Sequence, residues 1–455
     1  MQPTAYHLVS LGCAKNTVDA DSMATLLSQE GYQPVEDPNH AAVLIVNTCG
    51  FIGPAREESL EALAELAQHK RKGQTLIAAG CLTQRYAYDV IRQVPGIDGI
   101  LGTRRWMDIV EVVKQVRGSQ HADGFRPQPL YHLPDVPTVG RDERGVPRVS
   151  IQGASAYLKI ADGCRRPCAF CAIPLIKGTA VSRPMQTILD EARLLEQNGV
   201  RELILIAQDS TDYGHDLGMK DGLAQLLEGL VAAVPGIDWI RILYAYPGYV
   251  TDRLIDIMAS NPQILPYLDM PLQHAHPATL QRMRRPANLE WVERTLEKMR
   301  AAIPNLALRT TFIVGYPGET DEEFQALVDF IERIRFDRVG VFQFSFEPGT
   351  ASEVLGDPIP ATIKQERYEE LMQRQQTISL ALNQAWVGKN LDVLIEGVGD
   401  GLSIGRSYRD APEIDGMVII ETELPVGDLV PARITGAMTY DLAGTVTNRY
   451  QGKTK

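Results

Sequence analysis

The sequence YLKIADGCRRPCAFC occupies residues 157–171. It opens with an apolar run, 157–161, that is typical of a buried strand. Three cysteines follow at once in a C-x3-C-x2-C pattern, at Cys164, Cys168 and Cys171. Because parallel sheets place their ligands at the carboxyl ends of their strands, the stretch predicts an α/β fold with a thiol-lined site at the end of this strand.

Three thiolates spaced this closely suit an iron–sulfur cluster with one iron left free. A four-iron cluster bound entirely by protein needs four ligands, so three cysteines leave one iron open for a bidentate small molecule. With Phe170 before the last cysteine, the pattern resembles the radical S-adenosylmethionine signature, in which the methionine moiety occupies that iron and one electron releases a 5′-deoxyadenosyl radical. The alternative is a zinc site, which usually has a closed set of four ligands with C-x2-C pairs.

The other three cysteines, Cys13, Cys49 and Cys81, are separated from each other by about one β–α unit. Each follows a strand-like run, so we expect all three at the carboxyl edge of one parallel sheet. Three cysteines would again leave one iron without a protein ligand. The alternative is that these are buried structural cysteines at strand ends, because free cysteine is among the most buried residue types. The spacing alone is compatible with cluster ligands and with structural cysteines.

Strand-like runs and amphipathic helices alternate on both sides of a stretch rich in Pro, Gly and charge, which predicts an α/β protein. We predict an N-terminal parallel-sheet α/β domain over residues 1–117 and a linker over 118–152. An open (βα)6 partial barrel of six strand–helix units is predicted over 153–385. A small antiparallel β-barrel, with short alternating strands, is predicted over 386–455.

Composition limits the class of protein. The chain has 455 residues, a net charge of −12 and six cysteines. It has no run of ~20 apolar residues for a membrane span, and no basic flank before an apolar block that would mark a secretory signal, so a cytoplasmic location is expected. In a reducing compartment, cysteines are better candidates for metal binding or redox chemistry than for disulfides. The negative charge disfavours a protein that binds nucleic acid mainly through its phosphates. A local basic patch on the surface is still compatible with this charge.

Further motifs are spread over nearly the whole chain. They are 10–16 (SLGCAKN), 46–52 (VNTCGFI), 80–82 (GCL), 162–174 (DGCRRPCAFCAIP), 271–274 (PLQH) and 311–320 (TFIVGYPGET). With these motifs the chain resembles the radical S-adenosylmethionine methylthiotransferases. Ala14, where the family usually has proline, and residues 20–21 depart from its pattern without touching a ligand.

One branch of that family modifies a protein of the small ribosomal subunit, and another modifies an adenosine in transfer RNA. The runs 207–214 (AQDSTDYG) and 405–416 (GRSYRDAPEIDG), with His274, resemble the ribosomal branch. The C-terminal part resembles a TRAM domain, a module often used on RNA. From Trp386 onward it has seven Lys or Arg and ten Asp or Glu, however, which suits a basic protein partner better than phosphates.

The resemblance therefore implies addition of a methylthio group to the β-carbon of an aspartate in protein twelve of the small ribosomal subunit. The transfer-RNA reaction is the alternative, and a non-enzymatic iron–sulfur or zinc protein that binds the ribosome is a third. The reaction implies two 4Fe–4S clusters and two molecules of S-adenosylmethionine, with an electron donor and a sulfur source as further partners.

The resemblance also assigns residues. Cys13, Cys49 and Cys81 would hold an auxiliary cluster, and Cys164, Cys168 and Cys171 the radical cluster. Candidate contacts to S-adenosylmethionine are Gln208, Asp209, Arg183, Arg309, Val314 and Gly315. Candidate contacts to the ribosomal protein are Asp410, Glu413 and Asp415. For the two arginines a solvated surface position is the alternative, and for the three carboxylates a charged turn.

Overall fold

Strands and helices alternate through most of the chain, as the sequence pattern predicts. The structure is a computed structural model that describes residues 4–118, 128–134 and 144–447. Its strands are β1 (Ala5–Ser10), β2 (Gln33–Pro34), β3 (Val43–Thr48), β4 (Thr75–Gly80), β5 (Gly99–Gly102), β6 (Leu130–His132), β7 (Val149–Gln152), β8 (Ser155–Lys159), β9 (Ala161–Asp162), β10 (Val181–Ser182), β11 (Glu202–Ile206), β12 (Trp239–Ile242), β13 (Ile264–Asp269), β14 (Ala307–Val314), β15 (Arg338–Gln343), β16 (Asn390–Gly399), β17 (Leu402–Ser407), β18 (Val418–Ile420), β19 (Leu429–Ala437) and β20 (Leu442–Val446). Its helices are α1 (Ala14–Gln29), α2 (Gly53–His69), α3 (Cys81–Gln93), α4 (Ile109–Gly118), α5 (Ile173–Lys177), α6 (Met185–Gln197), α7 (Gly222–Ala233), α8 (Asp252–Ser260), α9 (Pro277–Arg282), α10 (Leu289–Ala302), α11 (Asp321–Ile334) and α12 (Ala361–Gln384). Among the residues described, no helix is long and apolar enough to cross a membrane.

Six parallel strands build the N-terminal sheet, in the order β2-β1-β3-β4-β5-β6. Successive residues of β3 enter two different hydrophobic clusters, Val43 and Ile45 on one face and Leu44 and Val46 on the other. Both faces of the sheet are therefore covered, which explains why β3 reads as an unbroken apolar run. The predicted parallel-sheet domain is confirmed.

Strand β6 lies inside the stretch 118–152 that the sequence predicts as a linker. It pairs in parallel with β5, Ile100 opposite Tyr131, and so extends the N-terminal sheet. Three residues among prolines and charges are too few for a strand pattern to be visible. Much of the predicted linker, residues 119–127 and 135–143, lies outside the described residues, and the domain boundaries stay predictions.

The central sheet contains six parallel strands in the order β15-β14-β13-β12-β11-β8. This arrangement confirms the open (βα)6 partial barrel. A seventh strand, β7, pairs antiparallel with β8 at the open edge, with Ser150 opposite Tyr157, and it too comes from the predicted linker. Every residue of β11, including the charged Glu202, is buried.

The C-terminal part is a closed barrel in the order β16-β17-β18-β20-β19. The closed barrel is confirmed, with two differences from the sequence pattern. The pair β18–β20 is parallel, whereas the other pairs are antiparallel. Strand β17 was not predicted, because Gly405 and Arg406 interrupt its apolar alternation, and the Arg406 side chain is buried against the central barrel.

Buried charges join the C-terminal barrel to the amino end of the central sheet. Asp410 accepts a bond of 2.5 Å from Arg338, and Asp415 accepts one of 2.6 Å from the Tyr267 hydroxyl. Both carboxylates were predicted to contact a protein partner, but their side chains are only 2% and 1% exposed. A partner could not reach them without breaking these bonds. Of the three predicted carboxylates only Glu413 is exposed.

Candidate functional site

All six cysteines line one cavity of about 410 Å³. It lies where the carboxyl ends of the N-terminal sheet meet those of the central sheet, at the opposite end of the central barrel from the C-terminal domain. The sequence predicts each triplet at a sheet edge, but it does not predict that the two edges face each other. The structure brings the two triplets together.

The first triplet follows three neighbouring strands. Cys13 is the N-cap of α1 after β1, Cys49 follows β3, and Cys81 is the first residue of α3 after β4. The backbone is closely packed here, because Gly12 has a φ of +94° and a Cβ at that position would lie 2.8 Å from the Cys49 Cβ. Only glycine fits this approach. The local sequence Gly12-Cys13 thus brings two of the cysteines side by side.

The second triplet lies on a loop that follows β9 and leads into α5. The loop is fixed by backbone bonds, from the Cys164 N–H to the Gly178 carbonyl at 3.1 Å and from the Ala169 N–H to the Met283 carbonyl at 2.9 Å. The Arg166 N–H lies 3.5 Å from the Cys164 sulfur, where it would stabilise a thiolate.

The donor set fits an iron–sulfur cluster better than a single metal ion. In the described part of the chain, no three His, Cys, Asp or Glu side chains converge closely enough to share one ion. Ligands of a cluster bind different irons and therefore stand further apart than the ligands of a tetrahedral zinc ion. Burial raises the pKa of Cys81 and Cys171 to about 12 and that of Cys164 to about 11. These thiols would thus be neutral unless a metal displaced their protons.

Among the described residues, the cavity wall carries positive charge and no carboxylate. Its charged members are Lys15, Arg166, Lys177 and Arg285. Arg285 is stacked 4.1 Å from the centre of the Tyr246 ring, and its Nη1 lies 3.5 Å from the Cys168 sulfur. The Tyr246 hydroxyl is 4.0 Å from the same sulfur. Cys168 is therefore bordered by an arginine and a tyrosine of the cavity wall.

Gln208 is one of the residues predicted to contact S-adenosylmethionine. It lines the cavity, its Nε2 donates to Asp162 at 3.4 Å, and its buried Oε1 has no partner among the described residues. A free amide oxygen is the acceptor that an ammonium group needs. Asp209 does not line the cavity but accepts a bond of 2.5 Å from Arg166, so it holds that arginine in place.

Four other predicted contacts lie away from the cavity wall. Arg183 is buried in a two-bond pair with Glu191, at 2.8 and 2.5 Å, and Arg309 donates to Asp269 at 2.9 Å. Val314 is fully buried, and the Gly315 N–H donates to Glu319 at 3.0 Å. In this structure neither arginine is free to meet a ligand carboxylate, nor is either one solvated at the surface.

Sequence reasoning missed several residues of the wall. Gln273, whose buried Oε1 lacks a partner within the described ranges, lies in the PLQH motif quoted for the resemblance. Lys15 lies two residues after a predicted ligand. Tyr244 and Tyr246 follow β12 and Arg285 follows α9, and no motif in the sequence marks any of the three.

A buried charge network connects the two triplets. Asp19 on α1, the helix that begins after Cys13, accepts bonds from Lys159 at 2.7 Å, from Lys177 at 2.6 Å and from Arg148. Lys177 ends α5, the short helix that follows the second triplet. Asp19 is 1% exposed, and the adjacent cations hold its pKa well below its usual range. The network therefore fixes the distance between the two sets of thiols.

Replacing Asp19 with asparagine should lower the free energy of unfolding by about 2–3 kcal/mol, because three buried cations would share only Asp162. Urea denaturation followed by circular dichroism measures the change. Asp190→Asn is the matched control, since Asp190 forms an exposed pair with Arg193 and should change the value by less than about 0.5 kcal/mol. Equal effects of the two substitutions would contradict the role given to Asp19.

Three family profiles match the chain in succession. They are described as "Uncharacterized protein family UPF0004" over residues 5–102, "Radical SAM superfamily" over 158–331 and "TRAM domain" over 387–447. The central match spans strands β11 to β14 and the second cysteine triplet. With the partial barrel and the thiol-lined cavity, it makes the chain a radical S-adenosylmethionine protein.

Relatives of nearly the same length narrow this class. The protein named ribosomal protein uS12 methylthiotransferase RimO from Chloroflexus aurantiacus is 50% identical over 452 residues, which cover 96% of this chain and 99% of that one. The protein of the same name from a Roseiflexus species is 47% identical over 455 residues, 96% of each chain. The chain therefore belongs to the RimO family of methylthiotransferases.

Solved structures show the same architecture at low identity. The radical S-adenosylmethionine methyltransferase TsrM from Kitasatospora setae, solved with its tryptophan substrate and an analogue of S-adenosylmethionine, superposes with a TM-score of 0.58. The match covers 87% of this chain and 79% of that one at 14% identity, so it supports the fold alone.

Proposed function

We propose that this protein is an enzyme that adds a methylthio group to the β-carbon of an aspartate in ribosomal protein uS12. The observation that carries the proposal is the single cavity in which both cysteine triplets meet. A site that both activates a carbon and delivers sulfur needs its two reactive groups within reach of one substrate atom. The shared name of the full-length relatives supplies the substrate.

The proposal assigns a cluster to each triplet, two in all. An open-sited cluster that binds S-adenosylmethionine supplies a radical able to take hydrogen from an unactivated C–H bond. Cys164, Cys168 and Cys171 are proposed to hold that cluster, with Gln208 accepting a bond from the methionine amine. Cys13, Cys49 and Cys81 are proposed to hold the auxiliary cluster.

Other residues of the chain position and shield these groups. Asp209 holds Arg166 beside Cys164, and Arg285 donates towards the sulfur of Cys168. Apolar and aromatic residues form most of the rest of the wall. An electron donor, a sulfur source and a second S-adenosylmethionine complete the proposed reaction, and the location proposed for it is the cytoplasm.

Modification of transfer RNA is not favoured. The full-length relatives reported above are named for uS12, and the C-terminal barrel is acidic. Binding to transfer RNA depends on neutralising phosphates, which an acidic surface opposes.

Mass spectrometry of uS12 from a strain that lacks the gene tests the proposal. The peptide that carries the target aspartate should lose the mass of the methylthio group, and the chain supplied in trans should restore it. Methylthioadenosine in transfer RNA from the same strain should stay at its original level. Retention of the modification on uS12, or its loss from transfer RNA, would contradict the proposal.

A further inference from the structure

Lys15 is the one lysine of the cavity wall whose ammonium group has no carboxylate partner in the described parts of the chain. Its Nζ lies 3.3 Å from the centre of the Tyr244 ring. Lys177, the other lysine of the wall, is paired with Asp19 at 2.6 Å and with Asp162 at 3.5 Å. Two lysines face the same cavity, and among the described residues only Lys177 is neutralised by a carboxylate.

An ammonium group at a largely apolar wall is costly unless it is paired. The face of an aromatic ring offsets part of that cost, but it supplies no acceptor for the N–H bonds. No carboxylate lines the cavity as described. The position is therefore suited to an anion that arrives with a ligand.

The backbone beneath Lys15 is strained. Tyr244 has a φ of +62°, which is rare for a bulky residue. Its N–H donates to Asp269 at 3.2 Å, and Asp269 in turn accepts a bond from Arg309. Such strain persists only where surrounding structure enforces it, and it is concentrated at functional sites.

Arg285 is the other cation of the wall that has no carboxylate partner among the described residues, but it already makes other contacts. Arg285 donates to the Pro271 carbonyl, has its Nη1 beside the Cys168 sulfur, and is stacked on Tyr246. Arg285 therefore lies beside the second triplet. Lys15 lies two residues after Cys13, a member of the first triplet.

We propose that Lys15 binds the side-chain carboxylate of the substrate aspartate. The inference rests on the proposed function and names the residue that recognises its substrate. The β-carbon of an aspartate is bonded directly to that carboxylate, so an ion pair with Lys15 holds the reacting carbon in the cavity that both triplets line. The pair also selects an acidic side chain over a neutral group of similar size, because the uncharged group would leave the ammonium unpaired.

Binding of two forms of uS12 tests this role. The first has its natural aspartate at the modified position, located by the mass spectrometry described above, and the second has asparagine there. Dissociation constants are measured with anaerobically reconstituted enzyme. The wild-type enzyme should bind the aspartate form at least about tenfold more tightly. In Lys15→Met this preference should fall to about twofold or less, and Lys15→Arg should recover part of it.

Lys72→Met is the matched control, since Lys72 is exposed and precedes β4, whereas Cys81 follows the other end of that strand, and the variant should keep the wild-type preference. Should Lys15→Met fail to fold or lose iron, Lys15→Gln undergoes the same comparison. A preference unchanged by loss of the ammonium group, or absent from the wild-type enzyme, would overturn the role of Lys15 while modification of uS12 stands. Failure of the wild-type enzyme to modify uS12 would instead overturn the proposed function.

Discussion

Cys168→Ala protein, reconstituted under anaerobic conditions, should retain about four irons per chain and form no 5′-deoxyadenosine from S-adenosylmethionine. The substitution leaves the second triplet with two thiols and removes the sulfur that lies beside Arg285 and Tyr246. The first triplet lies on a different sheet and keeps its three ligands. Iron analysis and chromatography of the nucleoside product give the two measurements.

Cys49→Ala is the matched partner of that variant. It should also retain about four irons, but it should still form 5′-deoxyadenosine while transferring no methylthio group to uS12. The two variants thus lose different half-reactions from one cavity. Undiminished nucleoside formation by Cys168→Ala would remove the assignment of the radical cluster, and full methylthio transfer by Cys49→Ala would remove the auxiliary cluster.

The sheet edges could be predicted from the sequence because parallel sheets follow a simple rule. Cys13, Cys49 and Cys81 each come directly after an apolar run, and the carboxyl ends of parallel strands share one edge. The same rule places Gln208, which follows β11. Predictions of this kind depend only on local pattern and on the direction of the strands.

Roles that depend on pairing could not be predicted in this way. Arg309 was predicted to meet a ligand, but its partners Asp269 and Asp415 come from another strand and from another domain. Asp410 was predicted at a docking surface, but Arg338 of the central sheet neutralises it. Which charges are exposed depends on how the domains pack, and no single-segment pattern contains that information. The two cysteine triplets face each other because of the same domain packing, in which Asp19 of the N-terminal domain binds Lys159 and Lys177 of the central domain.

The largest loss of stability is expected for Glu202→Gln. Glu202 is completely buried and accepts bonds of 2.7 Å from Arg241 and 2.6 Å from Arg406, the second of which comes from the C-terminal barrel. Removing its charge would leave Arg241 without a carboxylate partner among the described residues and Arg406 with only Glu396, whose side chain is 37% exposed. We expect the free energy of unfolding to fall by about 3–5 kcal/mol, measured by urea denaturation at pH 7. Glu228→Gln, which breaks an exposed pair with Arg253, should change it by less than about 0.5 kcal/mol.

The contacts of Glu202 with Arg241 and Arg406 also predict how the stability of the protein depends on pH. Burial raises the pKa of Glu202, but the two arginines outweigh it and lower the pKa to about 2 from an ordinary value of 4.5. Because the folded-state pKa is the lower one, the stabilisation is complete above about pH 4.5 and is lost as the pH falls towards 2. The difference in unfolding free energy between wild type and Glu202→Gln should therefore shrink by about 1 kcal/mol between pH 7 and pH 3.5. A difference that stays constant over this range would show that Glu202 is not held as a carboxylate between the domains.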